Sequence, residues 1–377
     1  MSVWGIICLT LSLAYASLLL IYFVAWLFIP TQKKPFGLEP KQRFSILIPA
    51  RNEAQSIIAC LNAIIQQDYP TDCYEIIVID DFSTDETAVL VQTFMAENKL
   101  FPIKLLQAEL LKIKGKKACI TAAVEQAQFD FICLTDADCT RGKEWLKAIN
   151  ALIQKKATQM IYGPVFFSAN NLFEQSQTLE FMGLVGIGAA AIQLKNPNMC
   201  SAANLIFKKS AFYEIGGYAG NENIASGDDE FLLHKIFKLY PNEVFFMKDY
   251  RAIVETSPNG SMEELAQQRR RWVSKSTKYD NRYITAILVG AYFFNFSMFW
   301  NALAGFFMPG LWLIFGLQIG LKILAEGLLI FAVLRFFKQS KLILLLPWVE
   351  PFHILYVLII GIWANIQTFT WKERKLQ

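Results

Sequence analysis

Apolar positions of the chain are concentrated at its two ends. The first charged side chain is Lys33, and the stretch from Ile6 to Ile29 is almost entirely apolar. A hydrocarbon core of about 30 Å takes about 20 helical residues to cross, so this stretch is long enough to span it. We interpret residues 1–32 as a transmembrane anchor. A cleaved signal peptide is the alternative, but no basic residue precedes the apolar run, which continues far past the small residues 14–16.

A second uncharged stretch runs for 39 residues from Tyr283 to Leu321, about twice the length that one span needs. Pro309 and Gly310 near its middle predict a turn, so the pattern indicates two membrane helices. The second helix would continue to about Leu334.

Charged residues near the C-terminus lie within apolar sequence. Lys322 and Glu326 are spaced to face each other on a helix, and we interpret them as a paired or bundle-facing couple; a functional pair is the alternative. Three residues interrupt the last apolar segment, 342–371: Pro347, Glu350 and Pro351. We expect the first part of this segment to lie at the membrane interface and the second part to cross. Residues 283–377 are therefore predicted to hold about three spans.

Mixed helix and strand patterns fill residues 33–282. Phe44–Pro49 and Glu75–Asp80 are short apolar, β-branched runs, and Ser56–Gln67 between them has a helical pattern. This βαβ order predicts an α/β domain with a mostly parallel sheet. A third run, Phe129–Leu134, leads directly into a pair of aspartates.

Acidic residues follow several of these strands. They are Glu53, Asp80, Asp81, Asp136 and Asp138. Ligands of open α/β sheets bind at the carboxyl ends of the strands, and carboxylates suit Mg²⁺ or Mn²⁺ shared with substrate phosphates. We expect Asp136 and Asp138, two apart on an extended segment, to point the same way and to hold a metal-chelated diphosphate. An ordinary acidic turn is the alternative for this motif taken alone.

Composition sharpens this division. The chain is 54% hydrophobic and 18% charged, which does not fit a wholly soluble protein and excludes disorder and a charge-driven nucleic-acid module. Seven cysteines without a CxxC pair are typical of buried thiols in a reducing compartment. The net charge of +4 names no partner.

Basic residues flank the predicted domain. They are Lys33, Lys34, Lys41 and Arg43 before it, and Arg269–Arg271, Lys275 and Lys278 at its end. The positive-inside rule therefore places residues 33–282 in the cytoplasm, in a multi-pass protein of the inner, or plasma, membrane. Lys372, Arg374 and Lys375 favour the same side, whereas three spans after the domain would put them on the other.

Several motifs occur in order along residues 44–275. They are Pro49–Glu53, Val78–Asp85, Gly115–Ala118, Asp136–Asp138, Gly216–Tyr218, Gly227–Leu232 and the QxxRW motif Gln268–Trp272. Their order resembles glycosyltransferase family 2, whose members have the GT-A fold and use nucleotide sugars. The QxxRW motif is similar to that of the membrane-integrated branch, which includes cellulose, hyaluronan and poly-N-acetylglucosamine synthases. Thr121 departs from the pattern, which often has Asn there.

The resemblance implies a donor site with a divalent metal. The residues carried over to the nucleotide sugar are Pro49, Arg51, Glu53, Asp80, Asp81, Lys116, Lys117 and Asp136. Glu53 and Asp81 are expected to contact the base and ribose of a UDP-sugar, and Asp138, assisted by Asp136, to ligate Mg²⁺ or Mn²⁺. A strand-end cap is the alternative for Asp80, and solvated loop charges are the alternative for the two lysines.

The resemblance also implies a general base and an acceptor site. Asp229 is expected to take the proton from the acceptor hydroxyl during an inverting transfer, with Asp228 and Glu230 in support; capping of the following helix by Ser226 or Asp228 is the alternative. The residues assigned to acceptor or diphosphate are Asp228, Gln268, Arg271 and Trp272. Trp272 offers a flat face and Arg271 a bidentate fork for phosphate; a basic helix at the membrane surface is the alternative.

The predicted function is therefore a membrane-bound hexosyltransferase that elongates a lipid-linked or growing glycan. A single-addition glycolipid or carotenoid-type transferase and a non-catalytic nucleotide-sugar-binding subunit are the alternatives. No nucleic-acid partner is expected. Leu172–Leu194 is predicted to be an interfacial or acceptor-channel helix, or else a core helix, and His234 and His353 are expected to be packing residues.

Overall fold

The computed structural model describes residues 2–32, 39–222, 226–274, 282–363, 369–371 and 374–376. Some of the basic residues used to predict the membrane orientation lie outside this part of the chain: Lys33, Lys34, Lys275, Lys278 and Lys372. The chain divides into two compact units. The sheet unit comprises Ile29–Ser168 and Ala191–Ser257, and the helical unit comprises Met1–Phe28, Ala169–Ala190 and Pro258–Gln377.

Twelve strands are present in the described residues. They are β1 (Phe44–Ala50), β2 (Tyr74–Asp80), β3 (Ile103–Gln107), β4 (Phe131–Leu134), β5 (Thr140–Arg141), β6 (Met160–Tyr162), β7 (Val165–Phe167), β8 (Leu205–Lys208), β9 (Val244–Phe246), β10 (Val254–Thr256), β11 (Phe369–Trp371) and β12 (Arg374–Leu376). Seven of them form the main sheet in the order β3-β2-β1-β4-β8-β6-β9. A smaller sheet has the order β5-β10-β7, and β11 pairs with β12.

The α-helices are α1 (Val3–Phe28), α2 (Ile57–Ile65), α3 (Thr87–Glu97), α4 (Lys116–Gln126), α5 (Trp145–Ile153), α6 (Leu172–Gln193), α7 (Lys209–Glu214), α8 (Asp228–Leu239), α9 (Met262–Ser274), α10 (Arg282–Ala304), α11 (Gly310–Phe336) and α12 (Leu346–Trp363). The predicted helices at 56–67 and 172–194 are confirmed by α2 and α6.

The main sheet is built around β1 and β2, whose apolar, β-branched residues are almost all buried. Such continuous apolar runs are typical of strands covered on both faces. β1 pairs in parallel with β2 and with β4, and β8 runs antiparallel to β4, so the predicted mixed, mostly parallel sheet is confirmed. The register places Ala50 opposite Asp80 and Leu47 opposite Leu134. The carboxyl ends of these three strands therefore meet at one edge of the sheet.

Four helical segments of the helical unit are long and apolar enough to cross a membrane: Val3–Phe28, Arg282–Ala304, Gly310–Phe336 and Ser340–Trp363. The predicted division of the long uncharged stretch is confirmed, since α10 ends at Ala304 and α11 begins at Gly310. The predicted interruption of the last segment is not seen as a break in the helix, because α12 continues through Pro351.

Buried polar side chains join the apolar helices of this unit. Asn301 on α10 accepts from the Trp4 indole of α1 at 2.7 Å and donates to Gln318 of α11 at 2.8 Å. Gln318 in turn donates to Ser297 at 2.8 Å. Amide groups that satisfy one another in this way hold helices together where the surroundings offer no other partner.

Candidate active site

The loop after β1 is fixed to the loop after β2. The buried guanidinium of Arg51 donates to the carbonyl oxygens of Asp81 and Phe82 at 2.7 and 2.8 Å. Asn52 and Phe82 both have positive φ, at 51° and 57°, a backbone conformation that non-glycine residues rarely adopt. Arg51 therefore helps to hold both loops in this conformation.

Glu53 and Asp85 complete this connection between the two loops. The backbone N–H of Glu53 donates to the Thr87 hydroxyl at 2.8 Å, and its side chain accepts from Ser56 at 2.8 Å. The Asp85 carboxylate accepts from the backbone N–H of Ala54 at 3.0 Å. Glu53 is thus held in a defined position at the sheet edge.

Asp80 and Asp81 end β2 and face different partners. Asp80 accepts from the Ser83 backbone N–H at 3.3 Å, the contact expected of a strand-end cap, and only 6% of its surface is exposed. Asp81 accepts from the backbone N–H of Gly115 at 3.2 Å, which ties β2 to the start of α4. Gly115 has φ of 95°, so a side chain at this position would strain the turn that makes this contact.

Asp136 and Asp138 lie in a turn after β4. The predicted extended geometry is wrong, because the chain bends at 137–138 and the Cys139 N–H reaches back to the Asp136 carbonyl at 3.3 Å. The two carboxylates nevertheless come together: their oxygens and the Cys139 sulfur all lie within 4.8 Å of one another. Asp138 also accepts from the Thr256 hydroxyl of β10 at 3.1 Å. A lone threonine so far along the chain carries no sequence signal of this contact.

These two carboxylates fit a hard divalent cation that is shared with a diphosphate. Asp138 is exposed and Asp136 is half-buried, so both can reach a ligand that arrives from solvent. Burial, together with the charges of Asp138 and Asp136, raises the pKa of the Cys139 thiol well above its usual range. Cys139 therefore stays protonated, and the two aspartates are the members of this group that offer the oxygen atoms that Mg²⁺ or Mn²⁺ prefers.

Lys116 joins the aspartates of this turn to the acidic segment Asp228–Glu230. Its ammonium lies 2.8 Å from Asp136 and 3.3 Å from Asp228. Burial lowers the pKa of Lys116, but the two carboxylates outweigh it and the net shift is upward, so the side chain stays charged. Lys117 differs: it donates to the Asn221 carbonyl at 2.7 Å and lies 4.8 Å from the centre of the Phe231 ring. Lys116 is therefore placed among the acids of both segments.

The acidic segment forms the first turn of α8. The N-cap position of this helix is held by Gly227, with φ of 78° and no side-chain cap, rather than by Ser226 or Asp228. Asp229 accepts from the backbone N–H groups of Ala202 and Glu230 at 3.2 and 2.9 Å. Two backbone donors at a helix N-terminus stabilise the ionised carboxylate and fix its direction.

The QxxRW motif lies on α9, in the helical unit. Gln268 accepts from Asn259 at 3.0 Å and from Arg269 at 2.7 Å. The Arg269 guanidinium lies 4.2 Å from the centre of the Trp272 ring, so the face of Trp272 predicted for an acceptor is partly covered. Arg271 is partly exposed. The predicted donor and base residues thus belong to the sheet unit, and the predicted acceptor residues other than Asp228 belong to the helical unit.

Known proteins resemble this chain in sequence and in fold. Residues 45–216 match the model for glycosyl transferase family 2, so the family resemblance is confirmed for this part of the chain. The chain is 26% identical over 184 residues to glycosyltransferase AglE of Haloferax volcanii, covering 49% of this chain and 58% of that protein. It is 24% identical over 199 residues to the poly-beta-1,6-N-acetyl-D-glucosamine synthase of Staphylococcus aureus, covering 52% and 47%. The chain therefore spans about half the length of these curated relatives.

The fold resembles that of the mannosyltransferase PcManGT from Pyrobaculum calidifontis, whose structure was solved in complex with GDP-Man and Mn²⁺. The TM-score is 0.60 at 19% identity, and the match covers 97% of this chain and 99% of that one. At this identity the likeness shows the fold alone, and it confirms the predicted GT-A architecture.

Proposed function

We propose that the glycosyltransferase family 2 domain of this chain, which includes residues 45–216, transfers a sugar from a nucleotide donor to an acceptor hydroxyl with inversion. The observation that carries this proposal is the contact of Lys116 with both Asp136 and Asp228. It brings the aspartate pair at the end of β4 and the acidic start of α8 into one cluster. A donor diphosphate and a general base have to meet in this way for the reaction to occur.

The donor is bound at the carboxyl ends of β1, β2 and β4. Glu53 and Asp81 bind the base and ribose, next to Pro49 and Asp80 of the strand ends and Arg51 of the loop after β1. Asp136 and Asp138 would hold Mg²⁺ or Mn²⁺, and a bound ion would supply positive charge to offset the charge that develops on the leaving nucleoside diphosphate. Lys116, which is charged beside them, supports the same oxygens.

Asp229 is the general base. Its carboxylate takes the proton from the acceptor hydroxyl while that oxygen forms a bond to the anomeric carbon and the bond from this carbon to the diphosphate oxygen breaks. The backbone N–H groups of Ala202 and Glu230 orient the carboxylate for this step. Attack opposite the leaving group inverts the configuration at the anomeric carbon.

The acceptor is a lipid-linked sugar or growing glycan that arrives from the membrane. The four apolar helical segments support a membrane-bound chain with an anchor at 1–32 and a membrane region at 283–377. The basic residues that flank residues 33–282 favour the cytoplasmic side for this domain. Gln268, Arg271 and Trp272 bind the acceptor or the diphosphate. The S. aureus relative, a polysaccharide synthase by name, favours elongation over a single addition.

The test uses the full chain, purified in detergent or in membranes, with radiolabelled UDP- and GDP-sugars and a total lipid extract as acceptor. We expect one donor to label a lipid or polymer product in a divalent-metal-dependent reaction, and mass spectrometry identifies the sugar added. A polymer that stays at the origin of a thin-layer plate indicates elongation, whereas a mobile lipid indicates a single addition. Binding of a nucleotide sugar without transfer would support a non-catalytic subunit and overturn the proposal.

A further inference from the structure

A polar network in the helical unit connects three helices. The Arg269 guanidinium of α9 forms an ion pair with Glu180 of α6 at 2.7 Å. The Tyr356 side chain of α12 interacts electrostatically with both charged groups. Neither Glu180 nor Tyr356 belongs to a motif that the sequence singles out.

This ion pair is largely buried. The Arg269 side chain is 3% exposed and that of Glu180 is 21% exposed. Burial raises the pKa of Glu180, but the adjacent Arg269 outweighs this and the net shift is downward, so the carboxylate is ionised at neutral pH. A buried arginine whose carboxylate partner is removed keeps its charge and has to rearrange to reach water or another acceptor.

Arg269 has a second contact that links this pair to the QxxRW motif. Its guanidinium lies 4.2 Å from the centre of the Trp272 ring, and it donates to Gln268 at 2.7 Å. Phe181, the neighbour of Glu180 on α6, lies 6.3 Å from the same indole at an interplanar angle of 37°. Adjacent residues of α6 therefore contact Arg269 and Trp272, and Arg269 contacts the indole of Trp272 directly.

The next residue of α9 makes a second contact with α12. The Arg270 guanidinium lies 4.7 Å from the centre of the Trp363 ring. The motif helix thus contacts α12 through two neighbouring arginines, and Arg269 also contacts Trp272.

We propose that Glu180, Arg269 and Tyr356 are positioning residues that hold the indole of Trp272 in the orientation that binds the acceptor. This inference rests on the proposed function, which assigns Trp272 to acceptor binding. The network leaves to the acceptor only the part of the indole surface that Arg269 does not cover. It also makes the acceptor subsite depend on α12, which carries Tyr356.

The first test measures the indole directly. The full chain in detergent is treated with N-bromosuccinimide, and oxidation of the peptide that contains Trp272 is followed by mass spectrometry. We expect Glu180→Gln to raise the oxidation rate of Trp272 at least threefold, because Arg269 no longer stays over the ring. Glu263→Gln is the matched control, since Glu263 is an exposed acid on α9 that contacts Gln267. Equal rates in the two variants would overturn the proposal.

The second test measures the consequence for the acceptor, with octyl glucoside as the acceptor probe and the donor that the wild-type chain uses. We expect Glu180→Gln to raise the acceptor KM roughly tenfold with little change in kcat or in donor KM, since a charge-assisted contact is lost outside the reacting centre. Glu180→Asp should recover part of the loss. A merely structural role would lower kcat through a smaller active fraction and leave KM unchanged.

The two proposals fail in different ways. Absence of transfer by the wild-type chain overturns the proposed function and with it the acceptor role of Trp272. Transfer by the wild type with an unchanged acceptor KM in Glu180→Gln overturns only the network.

Discussion

Two lysines of this chain each bridge a pair of acids, in very different surroundings. Lys116 of the sheet unit contacts Asp136 and Asp228, and its side chain is 23% exposed. Lys322 of the helical unit contacts Glu326 at 2.5 Å and also Glu350, and its side chain is fully buried. Each lysine bridges two carboxylates, but the Lys116 side chain is partly accessible to solvent and the Lys322 side chain is not.

The difference in exposure indicates different roles. An ion pair that is open to water contributes little to stability, so a ligand can replace either partner at low cost. A fully buried pair has lost its hydration, and removing one member leaves a charge with no compensation. We therefore expect the Lys116 cluster to act on substrate and the Lys322 cluster to hold α11 and α12 together.

The largest effect on activity is expected at the Lys116 cluster, in which Lys116 joins Asp136 to the acidic segment Asp228–Glu230. Asp229→Asn should lower the rate of sugar transfer by about 10²- to 10⁴-fold, the usual contribution of a general base, while nucleotide-sugar binding and thermal stability change little. Initial rates with the radiolabelled donor measure this. Asp130→Asn, at an exposed acid outside the cluster, is the matched control. Transfer by Asp229→Asn at the rate of this control would show that another group is the base.

A change in the buried Lys322 cluster should instead lower the stability of the chain. Lys322→Met should destabilise the chain by about 3–5 kcal/mol, because Glu326 and Glu350 would face each other without a cation. Thermal unfolding in detergent micelles measures this, with Lys341→Met as the control at an exposed lysine.

A second variant makes this stability test specific. Adding Glu326→Gln and Glu350→Gln to Lys322→Met removes all three charges and should recover most of the loss. If Lys322→Met matches the control in stability and instead loses transfer activity, the assignment of roles to the two clusters is wrong.

The parts of the fold that follow local sequence order were predictable. β1, α2 and β2 form a βαβ unit whose turns and apolar runs are adjacent in the chain, and the aspartates that follow β4 fall at the same edge. The pairing of β8 with β4 was not predictable, because it joins strands that are far apart in sequence and is decided by tertiary packing.

The site shows the same limit at the level of side chains. Asp136 was found at the end of a predicted strand and Asp229 through the family resemblance, but the choice of Lys116 as the bridging lysine required the orientation of α4. The sequence identifies Lys322 and Glu326 by helical spacing. Glu350 was interpreted as part of an interruption, because its contact with Lys322 crosses from one helix to another.

The Lys116→Met variant tests the comparison at the partly exposed lysine. We expect the donor KM to rise roughly tenfold, since a charge-assisted contact with the diphosphate is lost, while stability falls by less than about 1 kcal/mol. Measurements of donor KM and thermal unfolding on the same samples separate the two effects. A stability loss as large as that of Lys322→Met would contradict the view of Lys116 as an open, exchangeable partner.

The pH dependence of this lysine has a definite sign. The pKa of Lys116 in the folded chain is raised above its ordinary value of 10.5, because Asp136 and Asp228 outweigh the effect of burial. Its contribution to stability is therefore fully present below pH 10.5 and is lost only as the pH rises through the higher folded value. Donor affinity should show no decline attributable to Lys116 between pH 7 and about pH 10.

The smallest effect is expected at Asp85, an exposed carboxylate that connects the loops after β1 and β2. It accepts from the backbone N–H groups of Ala54 and Thr87, each at 3.0 Å. Burial raises the pKa of Asp85, but the hydrogen bonds from Thr87 and Ala54 outweigh it and the net shift is below the ordinary value of 3.8. A carboxylate with a lowered folded pKa stabilises the fold above its unfolded pKa, and this contribution disappears as the pH falls through the folded value.

Asp85→Asn keeps the side-chain size and one of the two acceptor oxygens but removes the charge and turns an NH2 group toward one backbone N–H, so it should cost about 1 kcal/mol at pH 7, given the screening of an exposed group. The difference from wild type in thermal unfolding should narrow as the pH is lowered below 3.8, where the wild-type carboxylate also becomes neutral. A difference that stays constant down to pH 3 would show that the charge of Asp85 contributes nothing, and that the hydrogen bonds alone hold the two loops together.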